Sequence, residues 1–142
     1  MNSRHFSDIL NPFADLIQSG VEIRTALADA ATQLELALAN DAEKRRTAKE
    51  LKSLYDEAEA EFVAETLFAA TGKNTESRKA ELDAALVKAR REGKLARLWA
   101  QANAAAYDAD DAKTGLDQCA KRFRAVECAA DLTAAMLRAA MA

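Results

Sequence analysis

Few residues in this sequence are of a type and spacing that could do chemistry. His5 is the only histidine among 142 residues. A Ser-His-Asp or Cys-His arrangement needs a histidine to take the proton of its nucleophile, so any such relay would have to be built around a residue near the loose start of the chain. Cys119 and Cys128 stand nine residues apart in a stretch that reads as one helix. That separation is about 13 Å along the axis and places them on nearly opposite faces, beyond disulfide reach. Both are expected as reduced thiols, Cys119 in an apolar seam and Cys128 outside it, and with one distant histidine they make no zinc set. Asp108, Asp110 and Asp111 have neither the glycine at the sixth position nor the glutamate at the twelfth that an EF-hand loop requires; Cys119 stands at the twelfth. Gly72-Lys73-Asn74-Thr75 shares letters with the end of a phosphate loop, but the earlier glycine is absent and no strand leads in. The acidic run Asp56–Glu61 lacks the Glu-x-x-His partner of a di-metal carboxylate site. The expectation is a protein that is not an enzyme and carries no cofactor or metal.

Cationic residues give a second kind of chemistry to weigh. Lys44-Arg45-Arg46, Arg78-Lys79, Lys88 to Arg97, and Lys121-Arg122-Phe123-Arg124 are clusters that could follow a line of phosphates. The formal net charge is −3, which exerts no global pull toward nucleic acid or anionic lipid. Residues 73–97 carry eight basic and four acidic groups, whereas 41–72 carry five and eight. A basic block therefore comes after an acidic one, and Phe123 falls in the apolar seam instead of standing free to stack on a base.

What must position these residues is helix. Only one proline and four glycines interrupt the chain, and charged residues make up 30 %, a composition of long helices or coiled coil. Much of the apolar half is alanine and only eight residues are aromatic, so the core is expected to be a thin seam. Residues 1–20 read as a loose start and then a short helix: Asn11-Pro12 is an N-terminal signal, Phe13, Leu16 and Ile17 share a face, and Gly20 marks a kink or break. This segment is expected to pack on the end of a helical hairpin built by the rest of the chain.

From residue 21 a heptad repeat is legible. Leu27, Leu34, Asp41, Ala48, Tyr55, Phe62 and Ala69 form one column, and Ala30, Ala37, Lys44, Leu51, Ala58 and Glu65 the other. Asp41 and Lys44 break it with a polar layer, expected to set register. Thr71 to Thr75 is a stop and an immediate restart, with Gly72 suited to a left-handed position and Asn74 or Thr75 to a cap. Leu82, Leu86 and Ala89 resume the stripe, which slips near Gly93. Beyond it Leu95, Ala102, Ala109, Leu116, Phe123, Ala130 and Leu137 run beside Leu98, Ala105, Ala112, Cys119, Val126, Thr133 and Ala140. Small residues from Ala102 to Ala112 imply close helix approach.

These features predict an all-α fold, a long antiparallel helical hairpin (coiled coil) with a short N-terminal helix. The arms cover about 21–71 and 75–140, within a hairpin domain of 21–142. Folding the chain at residues 73–74 sets Glu57 opposite Arg90, Asp56 opposite Arg91, Glu59 opposite Lys88 and Glu50 opposite Arg97, so the basic and acidic blocks face each other. Phe6, Ile9, Leu10, Phe13 and Trp99 are expected to be left uncovered, and a homo-oligomer, a dimer closing a four-helix bundle, would cover them. No early stretch has the pattern of a signal peptide and no apolar run approaches bilayer length. The expectation is a cytoplasmic protein with no membrane role.

Two stretches carry a resemblance. Thr71-Gly72-Lys73-Asn74-Thr75-Glu76-Ser77-Arg78-Lys79-Ala80 resembles the turn motif of small coiled-coil proteins encoded by tailed phages and prophages. Lys121-Arg122-Phe123-Arg124-Ala125-Val126, with Ala129 to Leu132, resembles a second motif near their end. The first arm of that family is Glu-rich, as Tyr55 to Glu65 is here. The resemblance spans roughly residues 50–135 and brings no catalytic residues. It implies an accessory protein, found in a host bacterial cell among phage genes for DNA replication and recombination.

The function expected is thus protein–protein contact with host or phage DNA replication, recombination or defence machinery. Candidate partner-binding residues are Lys73, Asn74, Arg78 and Lys79 at the turn and Arg90, Arg91, Lys94 and Arg97 on the second arm. For the turn, simple helix capping is the competing role. Direct binding of nucleic acid by the basic ridge, and a structural or scaffolding role in the virion, are the alternative readings.

Overall fold

The computed structural model describes the backbone of residues 3–142 and the side chains of residues 14–142. The chain is all-α: α1 (Ser3–Ala69), α2 (Thr75–Ala89) and α3 (Lys94–Met141). The two long helices pack against each other as a helical hairpin. The expectations for His5, Phe6, Ile9, Leu10 and Phe13 lie outside the described side chains.

The expected heptad columns are where burial falls. Tyr55, Asp41, Ala30, Leu95, Ala105 and Ala112 are buried, and Leu27, Leu34, Ala48, Phe62, Leu116, Phe123, Ala130 and Leu137 are half-buried. Only the ends of the columns (Glu65, Ala69, Ala140) stand exposed. Among the described residues no large side chain is fully buried, as an alanine-rich seam requires.

Two of the glycine breaks expected from sequence differ from each other in three dimensions. α1 runs through Gly20 without a break, so the expected short N-terminal helix is the first part of α1. The reason is phase: Leu16 and Ile23, both half-buried, continue the column of Ala30 toward the N-terminus, and Gly20 continues that of Leu27. A seam that keeps its register across a glycine offsets the roughly 1 kcal/mol helix penalty of that residue. The second arm, in contrast, is divided. Gly93 has φ +96°, a left-handed conformation in which a Cβ would be strained. Its carbonyl then accepts from the Arg97 N–H at 3.1 Å and starts α3.

The chain groups into two compact units, residues 1–39 with 113–142 and residues 40–112. The first unit pairs the early part of α1 with the late part of α3. At Gly20 an added Cβ would stand 3.5 Å from Leu137 Cδ1, so the Leu137 side chain of α3 lies beside the bare backbone of α1 there. Its one buried side chain among the described residues is Ala30, 2 % exposed. The second unit holds the late part of α1, all of α2 and the start of α3. Tyr55, Leu95, Ala105 and Ala112 form its core, with Asp41 buried as well.

Candidate interaction surface

The turn between α1 and α2 is held by its own polar groups. Asn74 caps α2: its backbone is extended, and its Oδ1 accepts from the Ser77 N–H at 2.7 Å. Arg78 folds back so that its Nε donates to the Gly72 carbonyl at 3.0 Å. The Glu81 carboxylate accepts from the Thr71 N–H at 3.1 Å. Gly72 is not left-handed, contrary to the expectation from helix capping; the positive-φ glycine is Gly93. Gly72 is glycine for lack of space, since a Cβ there would lie 2.8 Å from Ser77 Oγ and 2.9 Å from the Arg78 backbone nitrogen. Asn74 and Arg78 therefore shape the turn. Lys73 and Lys79 remain exposed beside them.

Arg90 is likewise occupied. It ends α2, and its guanidinium reaches α1, where Nε donates to Tyr55 Oη at 3.1 Å and a terminal nitrogen donates to Glu59 Oε1 at 2.7 Å. Burial pushes the Tyr55 hydroxyl above its ordinary pKa, opposed by the Arg90 hydrogen bond and reinforced by Glu59. The bond to Tyr55, then that to Glu59, raises Arg90 in turn. Of the expected charge match one cross-helix pair is found, displaced by two residues: Arg90 meets Glu59 and not Glu57, Asp56 pairs with Lys52 on its own helix at 3.5 Å, and Lys88, Arg91 and Arg97 enter no ion pair among the described residues. Glu59 is four residues past the buried Tyr55 and flanks the seam, whereas Glu57 lies on the outer side of the heptad.

Of the eight candidate residues, Lys73, Lys79, Arg91, Lys94 and Arg97 are exposed and enter no ion pair among the described residues. Lys94 lines a groove of about 310 Å³ with Glu61, Glu65 and Glu92, three carboxylates against one ammonium, which lowers the local potential that a phosphate would meet.

A feature that cation spacing does not reveal lies on the other side of the same helices. Trp99, 45 % exposed, lines a groove of about 440 Å³ together with Ala48, Ala102 and Ala106, the buried Tyr55, and the polar side chains of Lys49, Lys52, Asp56 and Asn103. Alanines fill little of the space beside a tryptophan, so part of the indole stays exposed. Lys49 and Lys52 carried a signal, being the α1 cations next to the column of Ala48 and Tyr55, but nothing in one dimension joined them to Trp99. Cys119 is half-buried in the seam and Cys128 is exposed, both free. No cluster of three metal-ligating side chains occurs among the described residues, and no helix there is long and apolar enough to cross a membrane. No family model, curated protein or solved structure matches the chain.

Proposed function

We propose that this chain is a non-enzymatic accessory protein of the phage type, cytoplasmic in a bacterial host, that works by protein–protein contact. Its partner belongs to host or phage DNA replication, recombination or defence machinery; that choice rests on the resemblance of the Thr71–Ala80 and Lys121–Val126 stretches. The observation that carries the contact mode is the Trp99 groove. A half-exposed indole beside alanines is an anchor of the sort that dominates binding energy at protein interfaces. Lys49, exposed and in no ion pair among the described residues, suits a partner segment that is apolar at its centre and acidic where it meets that lysine.

Tagged protein captured from bacterial lysate, with and without nuclease, tests this reading. One partner retained in near-equal amount after nuclease, and lost with Trp99→Ala, is the expected result. Recovery of the bait alone would overturn it and favour a role in virion structure or scaffolding. A second reading, direct binding of nucleic acid, is favoured by the exposure of Lys73, Lys79, Arg91, Lys94 and Arg97. It predicts a catch that vanishes with nuclease and an affinity that falls steeply with salt. Replacing Arg91 and Arg97 by glutamate would weaken that binding and leave a Trp99-anchored contact in place.

A further inference from the structure

The unit formed by residues 1–39 and 113–142 does not cover its own apolar surface. Its one buried side chain among the described residues is Ala30, whereas helices owe most of their stability in proteins to a packed face. The whole chain exposes 11008 Å². A compact monomer of 15.4 kDa would expose about 7,200 Å². The difference is what helices that share one thin, alanine-rich seam leave uncovered.

Ile17, Val21, Leu36 and Leu38 are the exposed large apolar side chains of α1 among the described residues of this unit, and Val21 and Leu38 bound a single face. Val21 is 54 % and Leu38 51 % exposed, and Arg24, Ala28 and Glu35 are exposed between them with Ala31 half-buried. Spacings of three and four place all six on one face. Read from its two ends, the face matches itself about a point between Ala28 and Ala31. Val21 falls opposite Leu38, Arg24 opposite Glu35 and Ala28 opposite Ala31. A second α1 laid antiparallel across that point would meet apolar with apolar and cation with anion on both sides, with alanines at the crossing where backbones come closest. Self-complementarity of this kind is what a two-fold interface demands. Arg24 and Glu35 enter no ion pair among the described residues, so each is available to the other copy.

We infer that the protein self-associates as a two-fold dimer through the Val21–Leu38 face of α1, antiparallel to its copy. The inference is independent of the partner at Trp99, and the two can fail separately.

Sedimentation equilibrium at micromolar concentration tests it by charge exchange. Wild type is expected to dimerise. Arg24→Glu alone, or Glu35→Arg alone, sets like charges opposite each other twice in each dimer and raises the dissociation constant by about tenfold or more. The double variant Arg24→Glu/Glu35→Arg restores both pairs and with them the wild-type constant. Both positions are exposed, and unchanged helical circular dichroism verifies folding. A wild type that stays monomeric overturns the inference. So does a dimer indifferent to the single changes, or a double variant as weak as the singles, because either places the contact elsewhere.

Discussion

Four glycines in this chain do four different things, and the difference is set by the backbone conformation at Gly93 and, at the others, by what stands within reach of an absent Cβ. At Gly72 the neighbours are Ser77 and the backbone of Arg78, at 2.8 to 3.0 Å, and backbone yields little. Gly72→Ala is expected to cost about 1–3 kcal/mol, read as a lower urea midpoint. Gly115 sits inside α3 with nothing within 4 Å of its virtual Cβ, so Gly115→Ala should add about 1 kcal/mol through helix propensity alone. Measuring both by the same denaturation separates crowding from propensity. Tyr55 gives a pH signature. Its folded pKa is raised above the ordinary value of 10.0, so the folded chain keeps a proton that the unfolded chain gives up. That stability is fully present below about pH 10 and is lost as pH rises through the folded value. Urea midpoints across the alkaline range should therefore fall more steeply for wild type than for Tyr55→Phe, and parallel curves would remove Tyr55 from the account.

At the scale of helices, the polar layer in the seam is the most informative element. Asp41 is 5 % exposed; its Oδ2 meets Arg45 at 2.6 Å, while its Oδ1 is buried without a hydrogen-bond partner. An orphaned buried acceptor costs about 1–3 kcal/mol, and its Arg45 partner is mostly exposed, so the pair returns little. Asp41→Leu is therefore expected to raise stability by about 1–3 kcal/mol. The role expected of Asp41 is to forbid sliding of an otherwise repetitive seam. Fewer sharp cross-helix signals in the NMR spectrum of Asp41→Leu would report that loss of register. Much at this scale was legible from spacing: both columns of each arm carry the burial, and the Asp41–Lys44 layer falls inside. The continuity of α1 was also latent, since Leu16, Ile23 and Ala30 keep one phase, but Gly20 masks it when glycine is read as punctuation before period.

Across the molecule, stability is expected to be uneven. The unit of residues 40–112 has four buried apolar side chains and the Tyr55–Arg90–Glu59 cluster, while the other has one buried alanine among the described residues. Amides of residues 14–39 and 113–141 should exchange with solvent faster in dilute protein and gain protection as concentration rises, whereas those of 40–112 should change little. Exchange in the first unit that ignores concentration would speak against the α1 pairing.

Periodicity, charge order and the helix stop at residues 70–74 were enough to establish an all-helical hairpin and its apolar seam, because a heptad repeat is a local, one-dimensional statement of which face each residue takes. Three matters needed the folded chain. Whether a glycine bends, breaks or only fills a gap depends on atoms far away in sequence, as Leu137 beside Gly20 shows. Which carboxylate meets Arg90 depends on the register left after the non-helical connection at residues 70–74, which moved the pair from Glu57 to Glu59. The groove that joins Trp99 to Lys49 and Lys52 exists only once two arms lie side by side, since an interaction surface is a property of neighbours in space and a helical repeat records neighbours along one face.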